Sequence, residues 1–173
     1  MDAHQAITGR TSMTVTIRSA TVHDVPLIRE LIEGLADYER LRHECIATDE
    51  LLHATLFGAR PSAEVLIAES NGDAAGFALF FHNYSTFLAR PGIYLEDLFV
   101  RPSHRGRGVG KQLLQHLASL AVERQCGRLE WSVLNWNTDA IGFYEKLGAR
   151  PQDEWTVYRV TGDALTRLAT GEV

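Results

Sequence analysis

Cysteine is scarce in this chain. Cys45 and Cys126 are the only two among 173 residues, and neither sits at metal-ligand spacing from another candidate ligand. Lone thiols of this kind fit buried side chains in a reducing cytoplasm and give no basis for a metal site. Long apolar runs are missing as well: none approaches the roughly eighteen residues that a membrane span needs. Outside one loop there is no block of lysine and arginine, and the formal net charge is −5. That balance argues against non-specific nucleic-acid binding and suits a small cationic ligand. Residues 1–12 have neither hydrophobic periodicity nor the apolar core of a signal peptide, and are expected to be a flexible extension, with Met13 as an alternative start. No repeat, linker or low-complexity tract breaks the remainder. With 45% hydrophobic and 23% charged residues in the chain, residues 13–173 are expected to form one domain with a real core.

What is present reads as alternating strands and helices. Residues 14–18 alternate like a strand. Thr21 with Asp24 signals a helix start, and Val25, Ile28, Leu31, Ile32 and Leu35 fall at helical spacing up to about Arg40. Thr48 caps a second helix that Gly58 stops. Strands over 64–69 and 74–84 flank the hairpin signal Asn71-Gly72-Asp73, and a strand over 93–100 follows. A helix is expected over 108–125, with Val109, Leu113, Leu117 and Leu120 inward, then a strand over 128–134 and a helix over 138–147. A strand over 154–160 and a short helix over 163–169 complete the order, a mixed α/β sheet with helices on both faces. Strict alternation in the 93–100 strand puts Tyr94, Glu96, Leu98 and Val100 on one face, and Leu95, Asp97 and Phe99 on the other.

Arg105-Gly106-Arg107-Gly108-Val109-Gly110 stands where that strand gives way to a helix. Backbone N–H groups at a helix start lack intrahelical partners, and the helix dipole adds partial positive charge, so such a turn suits a phosphate. A Walker A loop would need Gly at 105 and Ser or Thr at 112, where this chain has Arg105 and Gln112. A dinucleotide fingerprint would need its third glycine where Lys111 stands. A plain glycine-rich turn capping a helix also fits the bare six residues. The remaining pattern, Arg105-x-x-Gly108-x-Gly110, resembles the (Q/R)-x-x-G-x-(G/A) acyl-CoA pyrophosphate signature of the GCN5-related N-acetyltransferase (GNAT) family. The flanking Leu95-Glu96-Asp97-Leu98-Phe99-Val100-Arg101-Pro102 and Lys111-Gln112-Leu113-Leu114 extend the likeness, which runs from about 14 to 169.

The resemblance implies a single mixed, mostly antiparallel sheet of six to seven strands, splayed at a bulge between the fourth and fifth. It also implies acetyl-CoA as co-substrate, held by Leu98, Phe99, Val100, Arg105, Gly106, Arg107, Gly108, Val109, Gly110, Lys111, Asn137, Ala140 and Tyr144.

Acyl transfer from a thioester to an amine requires holding the donor, polarising its carbonyl, deprotonating the amine and protonating the departing thiolate. Glu96 and Asp97 are adjacent acids in an apolar strand, costly to bury unless paired or functional. Tyr94-Leu95-Glu96-Asp97 followed by Phe99-Val100 resembles the diamine and thialysine acetyltransferase branch. That resemblance makes Glu96 a catalytic contact to the amine, directly or through water, and Asp97 a substrate contact. Asn135-Trp136-Asn137-Thr138-Asp139-Ala140-Ile141-Gly142-Phe143-Tyr144 contains a helix cap at Asn137 and, at Tyr144, a position on a core-like helix face. Together they resemble the family's W-N-x6-Y pattern, in which the tyrosine phenol protonates the thiolate and the asparagine contacts CoA. Leu35-Ala36-Asp37-Tyr38-Glu39 resembles the branch's amine pocket at Tyr38 and Glu39. At Tyr84-Ser85-Thr86-Phe87 the chain departs from the Asp-Pro-Trp of polyamine-specific members, which disfavours long polycations. Trp131, Trp136 and Trp155 are read as core or interface packing.

The expectation is therefore a cytoplasmic, metal-free N-acetyltransferase of small primary amines, neither nucleic-acid nor membrane bound. Another amine (amino acid, aminoglycoside or protein) or a silent acyl-CoA-binding module are the rival readings. The relatives' dimers and the apolar, aromatic residues 155–160 imply a homodimer.

Overall fold

The computed structural model describes residues 14–172. The expected extension over 1–12 lies outside them. The chain divides into two compact units, one ending at Ser132 and one beginning at Val133.

The first unit is built on a sheet of five strands in the order β1-β2-β3-β4-β5. These are β1 (Val15–Ser19), β2 (Glu64–Ser70), β3 (Asp73–Ser85), β4 (Arg90–Val100) and β5 (Leu129–Trp131). Neighbours are antiparallel except β4 and β5, which run parallel. Asn71 and Gly72, at φ of 54° and 87°, turn β2 into β3 with Ser70 paired to Asp73, as a two-residue hairpin requires.

Helices cover both faces. On one, α1 (Val25–Glu39) and α2 (Asp49–Phe57) bury Val25, Ile28, Leu31, Leu52 and Leu56 against Val65, Ile67, Phe77 and Phe99. A 3-10 turn over Val22–Asp24 precedes α1, so the helix proper begins later than the Thr21 signal suggests. Arg18 of β1 pins this start, donating two 2.8 Å bonds to Asp24 and one of 2.7 Å to Glu69 of β2. These bonds hold the Asp24 carboxyl well below the usual carboxylate range. Gly34 lets α1 settle closely on β4: a methyl there would lie 3.0 Å from the Phe99 ring. On the other face, α3 (Val109–Glu123) buries Val109, Leu113, Leu114 and Leu117.

β4 does not keep strict alternation. Leu79 pairs with Asp97 and Phe80 pairs with Leu95, which leaves Glu96 as an extra residue. This is a β-bulge, and it exchanges the faces of everything beyond it. Tyr94 packs on Phe81 with ring centroids 5.3 Å apart, on the side of Leu79, Asp97 and Phe99. Leu95 lies opposite Phe80, whose ring is 5.8 Å from the Arg124 guanidinium at the end of α3. The expected grouping of Leu95 with Asp97 and Phe99 is thus corrected: Leu95 belongs with Leu98 and Val100.

The expected six to seven strands are five. β5 stops at Trp131 instead of continuing to 134. The second unit holds α4 (Thr138–Lys146) and α5 (Gly162–Thr170), with no strand over 154–160. Trp155, Val157 and Tyr158 there are 75%, 82% and 91% exposed. Apolar alternation suits a strand, but a strand exists only where a neighbour completes its ladder, and among the described residues none pairs with this segment.

Candidate active site

Three features of the first unit meet at the end of β4. The first is a gap in the sheet. β5 accompanies β4 only through Ile93↔Leu129, Tyr94↔Glu130 and Leu95↔Trp131. From the Glu96 bulge onward, no described strand pairs with that side of β4, so the backbone of Leu98, Phe99 and Val100 has a free edge toward it. Tyr94 reaches across the end of the short ladder, its hydroxyl 2.7 Å from Ser132 Oγ.

The second is the glycine loop between β4 and α3. Gly106 and Gly108 adopt φ of 71° and 81°, and a Cβ on either would meet nothing within 4 Å. The left-handed backbone, not crowding, calls for glycine at both. Gly110 differs: it lies inside α3, and a methyl there would make an ordinary 3.6 Å contact with Val100. Gly108 is the N-cap of α3 and supplies no side-chain acceptor to the first turn, which leaves the N–H groups around Val109, Gly110 and Lys111 for a ligand. The Arg107 and Lys111 side chains are exposed beside them. A diphosphate fits this loop: left-handed glycines with open space beside them and a helix dipole of the right sign.

The third is an acidic wall where the last turn of α1 meets β4. Asp97 is half-buried, and that burial pushes its carboxyl up to about 6, with the negative charges of Glu96 and Glu39 adding to the shift. Burial also raises the Glu39 carboxyl. Glu96, the bulged residue, is exposed. Alternation along β4 already sets the two acids on opposite faces; what it does not reveal is the bulge, which takes Glu96 out of the pairing with β3. Tyr38 stands beside Glu39, with the Arg105 guanidinium 4.4 Å over its ring and 5.8 Å from that of Phe99. The structure therefore brings Tyr38, Glu39, Glu96, Asp97, Phe99 and Arg105 together. It does not bring Ser85, Thr86 and Phe87 to this wall: they form the far end of the β3–β4 hairpin, where Phe87 is 95% exposed.

In the second unit, Asn137 caps α4, its Oδ1 accepting from the Ala140 N–H at 3.3 Å. Tyr144 lies one turn beyond Ala140 on the same helix face and packs on Phe143, with centroids 5.4 Å apart. No residue of α4 is buried, so the core-like face expected for Tyr144 is half open.

Comparison with known proteins agrees with this geometry. The acetyltransferase (GNAT) family profile matches residues 28–149. An L-ornithine N5-acetyltransferase of Arabidopsis thaliana is 38% identical, covering 88% of this chain and 86% of its own. A thialysine N-epsilon-acetyltransferase of Bos taurus is 36% identical over 90% of this chain and 97% of its own. Among solved structures, an integron cassette protein from the mobile metagenome of V. cholerae superposes with a TM-score of 0.77 at 30% identity, covering 91% of this chain and 98% of that one. The chain belongs to the GNAT acetyltransferase family. It is an enzyme of that class, with the family's fold on a five-stranded sheet. Among the described residues, no helix is long and apolar enough to cross a membrane.

Proposed function

We propose that this protein is an acetyl-CoA-dependent N-acetyltransferase that modifies a primary amine on a small cationic acceptor, by direct transfer within a ternary complex. The observation that carries the reading is the bulge at Glu96. At that point the β4–β5 pairing has ended, one edge of β4 is free, and Asp97 stands in the acidic wall beside Glu39.

Acetyl-CoA would supply the activated acyl group. The loop from Arg105 through Gly106, Arg107, Gly108, Val109 and Gly110 to Lys111 would hold its diphosphate through backbone N–H groups, and the free edge of Leu98, Phe99 and Val100 would bind its amide-bearing arm. Asn137, Ala140 and Tyr144 complete the proposed contacts, with Tyr144 donating the proton that the departing sulfur needs.

Acceptor binding falls to Tyr38, Glu39, Glu96 and Asp97. An amine of ordinary pKa near 10 is only about 0.1% neutral at pH 7, so a proton must be removed as well as a charge attracted. Glu96, exposed at the bulge, takes that proton directly or through water. Asp97, with its carboxyl up at about 6, is charged at neutral pH and keeps the ammonium end in place. The relatives' acceptors, ornithine and thialysine by name, are amino acids with a side-chain amine. We accordingly favour thialysine-like amino acids and short diamines over long polyamines. The protein is further proposed to act in the cytoplasm as a homodimer, without metal, using the exposed 155–160 segment as part of the contact.

A thiol-release assay with acetyl-CoA over ornithine, lysine, thialysine, putrescine and spermidine tests the acceptor. Turnover should be highest with the side-chain-amine amino acids or the short diamine. Release confined to neutral or anionic amines would overturn the reading. Light scattering should give twice the chain mass, and a monomer mass at micromolar protein would remove the dimer.

A further inference from the structure

We propose that the Arg105 side chain is a positioning group through which an occupied glycine loop orders the acceptor wall, and that its guanidinium is not itself a phosphate ligand. The inference rests on the cofactor reading given above and adds a residue role to it.

A phosphate-binding arginine presents its fork of N–H groups to the ligand. Arg105 commits its Nε and its approach to a ring elsewhere. Its Nε donates to the Val100 carbonyl at 3.0 Å, at the last residue of β4. Its guanidinium carbon lies 4.4 Å over the Tyr38 ring centroid and 5.8 Å from that of Phe99. One side chain thus touches the end of β4, the end of α1 and the ring that packs beneath Gly34. Its own backbone directly precedes Gly106, the first left-handed residue of the loop. A ligand that fixes the backbone of Gly106 and Gly108 therefore fixes the root of Arg105 as well. The stack passes that order to Tyr38 and, through the same helical turn, to Glu39. Lys111, exposed in the first turn of α3, places a positive charge beside the loop.

The experiment uses the full chain, the variants Arg105→Gln, Arg105→Lys and Tyr38→Leu, and the double variant Arg105→Gln/Tyr38→Leu. Coenzyme A affinity is read by titration calorimetry, order at residues 36–41 by hydrogen exchange with and without coenzyme A, and acceptor KM by thiol release. In the parent, coenzyme A should slow exchange at 36–41. Arg105→Gln should keep coenzyme A affinity within about twofold, lose that protection, and raise acceptor KM about two- to fivefold, the range for an exposed cation–π contact. Arg105→Lys should behave like Arg105→Gln, because an ammonium lacks the planar face. Tyr38→Leu should show the same loss, and the double variant should add nothing to it.

A tenfold or greater, salt-dependent loss of coenzyme A affinity in Arg105→Gln would make Arg105 a phosphate ligand and overturn the proposal. So would additive losses in the double variant, or no protection at 36–41 in the parent once coenzyme A is bound. Failure of the parent to bind coenzyme A would remove the cofactor reading and the proposal with it. Binding with protection but without turnover of any amine would count against the acceptor assignment alone.

Discussion

Glu96 and Asp97 are adjacent in β4 yet stand in opposite surroundings. Glu96 bulges out and is exposed, while Asp97 is turned under α1, where burial and two neighbouring carboxylates push it up to about 6. Successive strand residues face opposite sides of the sheet, and the bulge in addition takes Glu96 out of the ladder with β3. The pair can therefore divide two tasks that one carboxylate performs poorly: attracting an ammonium and removing its proton.

Glu96→Gln keeps size and hydrogen bonding but removes basicity. Turnover should fall most near neutral pH and recover partly at alkaline pH, where the free amine is already abundant. A pH–rate profile identical to the parent's would take the proton-accepting role away from Glu96.

Asp97→Asn probes charge and stability together. An acid raised from 3.8 to about 6 in the fold gives stability that is present in full below pH 3.8 and lost as pH rises through about 6. The amide cannot ionise, so above pH 7 the variant should be more stable than the parent, by roughly 1–3 kcal/mol. Acceptor KM should rise at the same time, and the parent's kcat/KM should lose activity below about pH 6 in a limb the variant lacks. Denaturant unfolding at pH 5 and pH 8 reads the first effect, and steady-state kinetics the others. Equal stability differences at both pH values would contradict the burial of this charge.

Tyr144→Phe removes one hydroxyl from a half-open face of α4, so stability should change little. If the phenol protonates the leaving sulfur, turnover should fall by about 10²- to 10⁴-fold with acetyl-CoA affinity kept. Unchanged turnover, under conditions where chemistry limits the rate, would return Tyr144 to packing.

Gly108→Val places a β-branched side chain at φ of 81°. Nothing crowds that position, so the cost to the fold is torsional, about 1–2 kcal/mol. Acetyl-CoA affinity should drop by at least tenfold, read by calorimetry, while circular dichroism stays that of the parent. Parental affinity would show that the loop does not hold the diphosphate.

Asp24→Asn tests the clamp between β1, β2 and α1. The parent carboxyl is held low by Arg18, so its contribution is present above the ordinary aspartate range and lost as pH falls through its lowered value. The variant should lose about 1–2 kcal/mol at pH 7, allowing for the partial exposure of Arg18, and its acid unfolding should be correspondingly shallower.

Much of the fold is legible in the chain because its signals are local. Val25, Ile28 and Leu31 mark α1 by spacing alone, Thr48 caps α2, and Asn71-Gly72 turns the hairpin. Gly106 and Gly108 announce their left-handed backbone by being glycine. What the sequence hides is pairing between distant segments. Residues 154–160 carry the alternation of a strand, but only a partner could make them one. The Glu96 bulge arises from how β4 meets β3, so counting by twos along β4 puts Leu95 and Asp97 on one face when they occupy two. Arg105 matches the signature by type, while the direction of its guanidinium depends on Tyr38, which lies far from it in the chain.

The hydrogen atom that Gly34 carries in place of a methyl acts as a thickness gauge. Helix propensity alone would favour alanine there by about 1 kcal/mol, yet a methyl would press to 3.0 Å on Phe99. To relieve that contact, either the ring must shift or α1 must rise by a few tenths of an ångström, and Tyr38, one turn further on, would rise with it. Beneath Phe99 runs the strand that carries Asp97. The clearance between the two acid-bearing elements is thus set by the smallest side chain in the protein. Where the helix yields and the ring does not, Gly34→Ala opens that clearance by the same few tenths of an ångström.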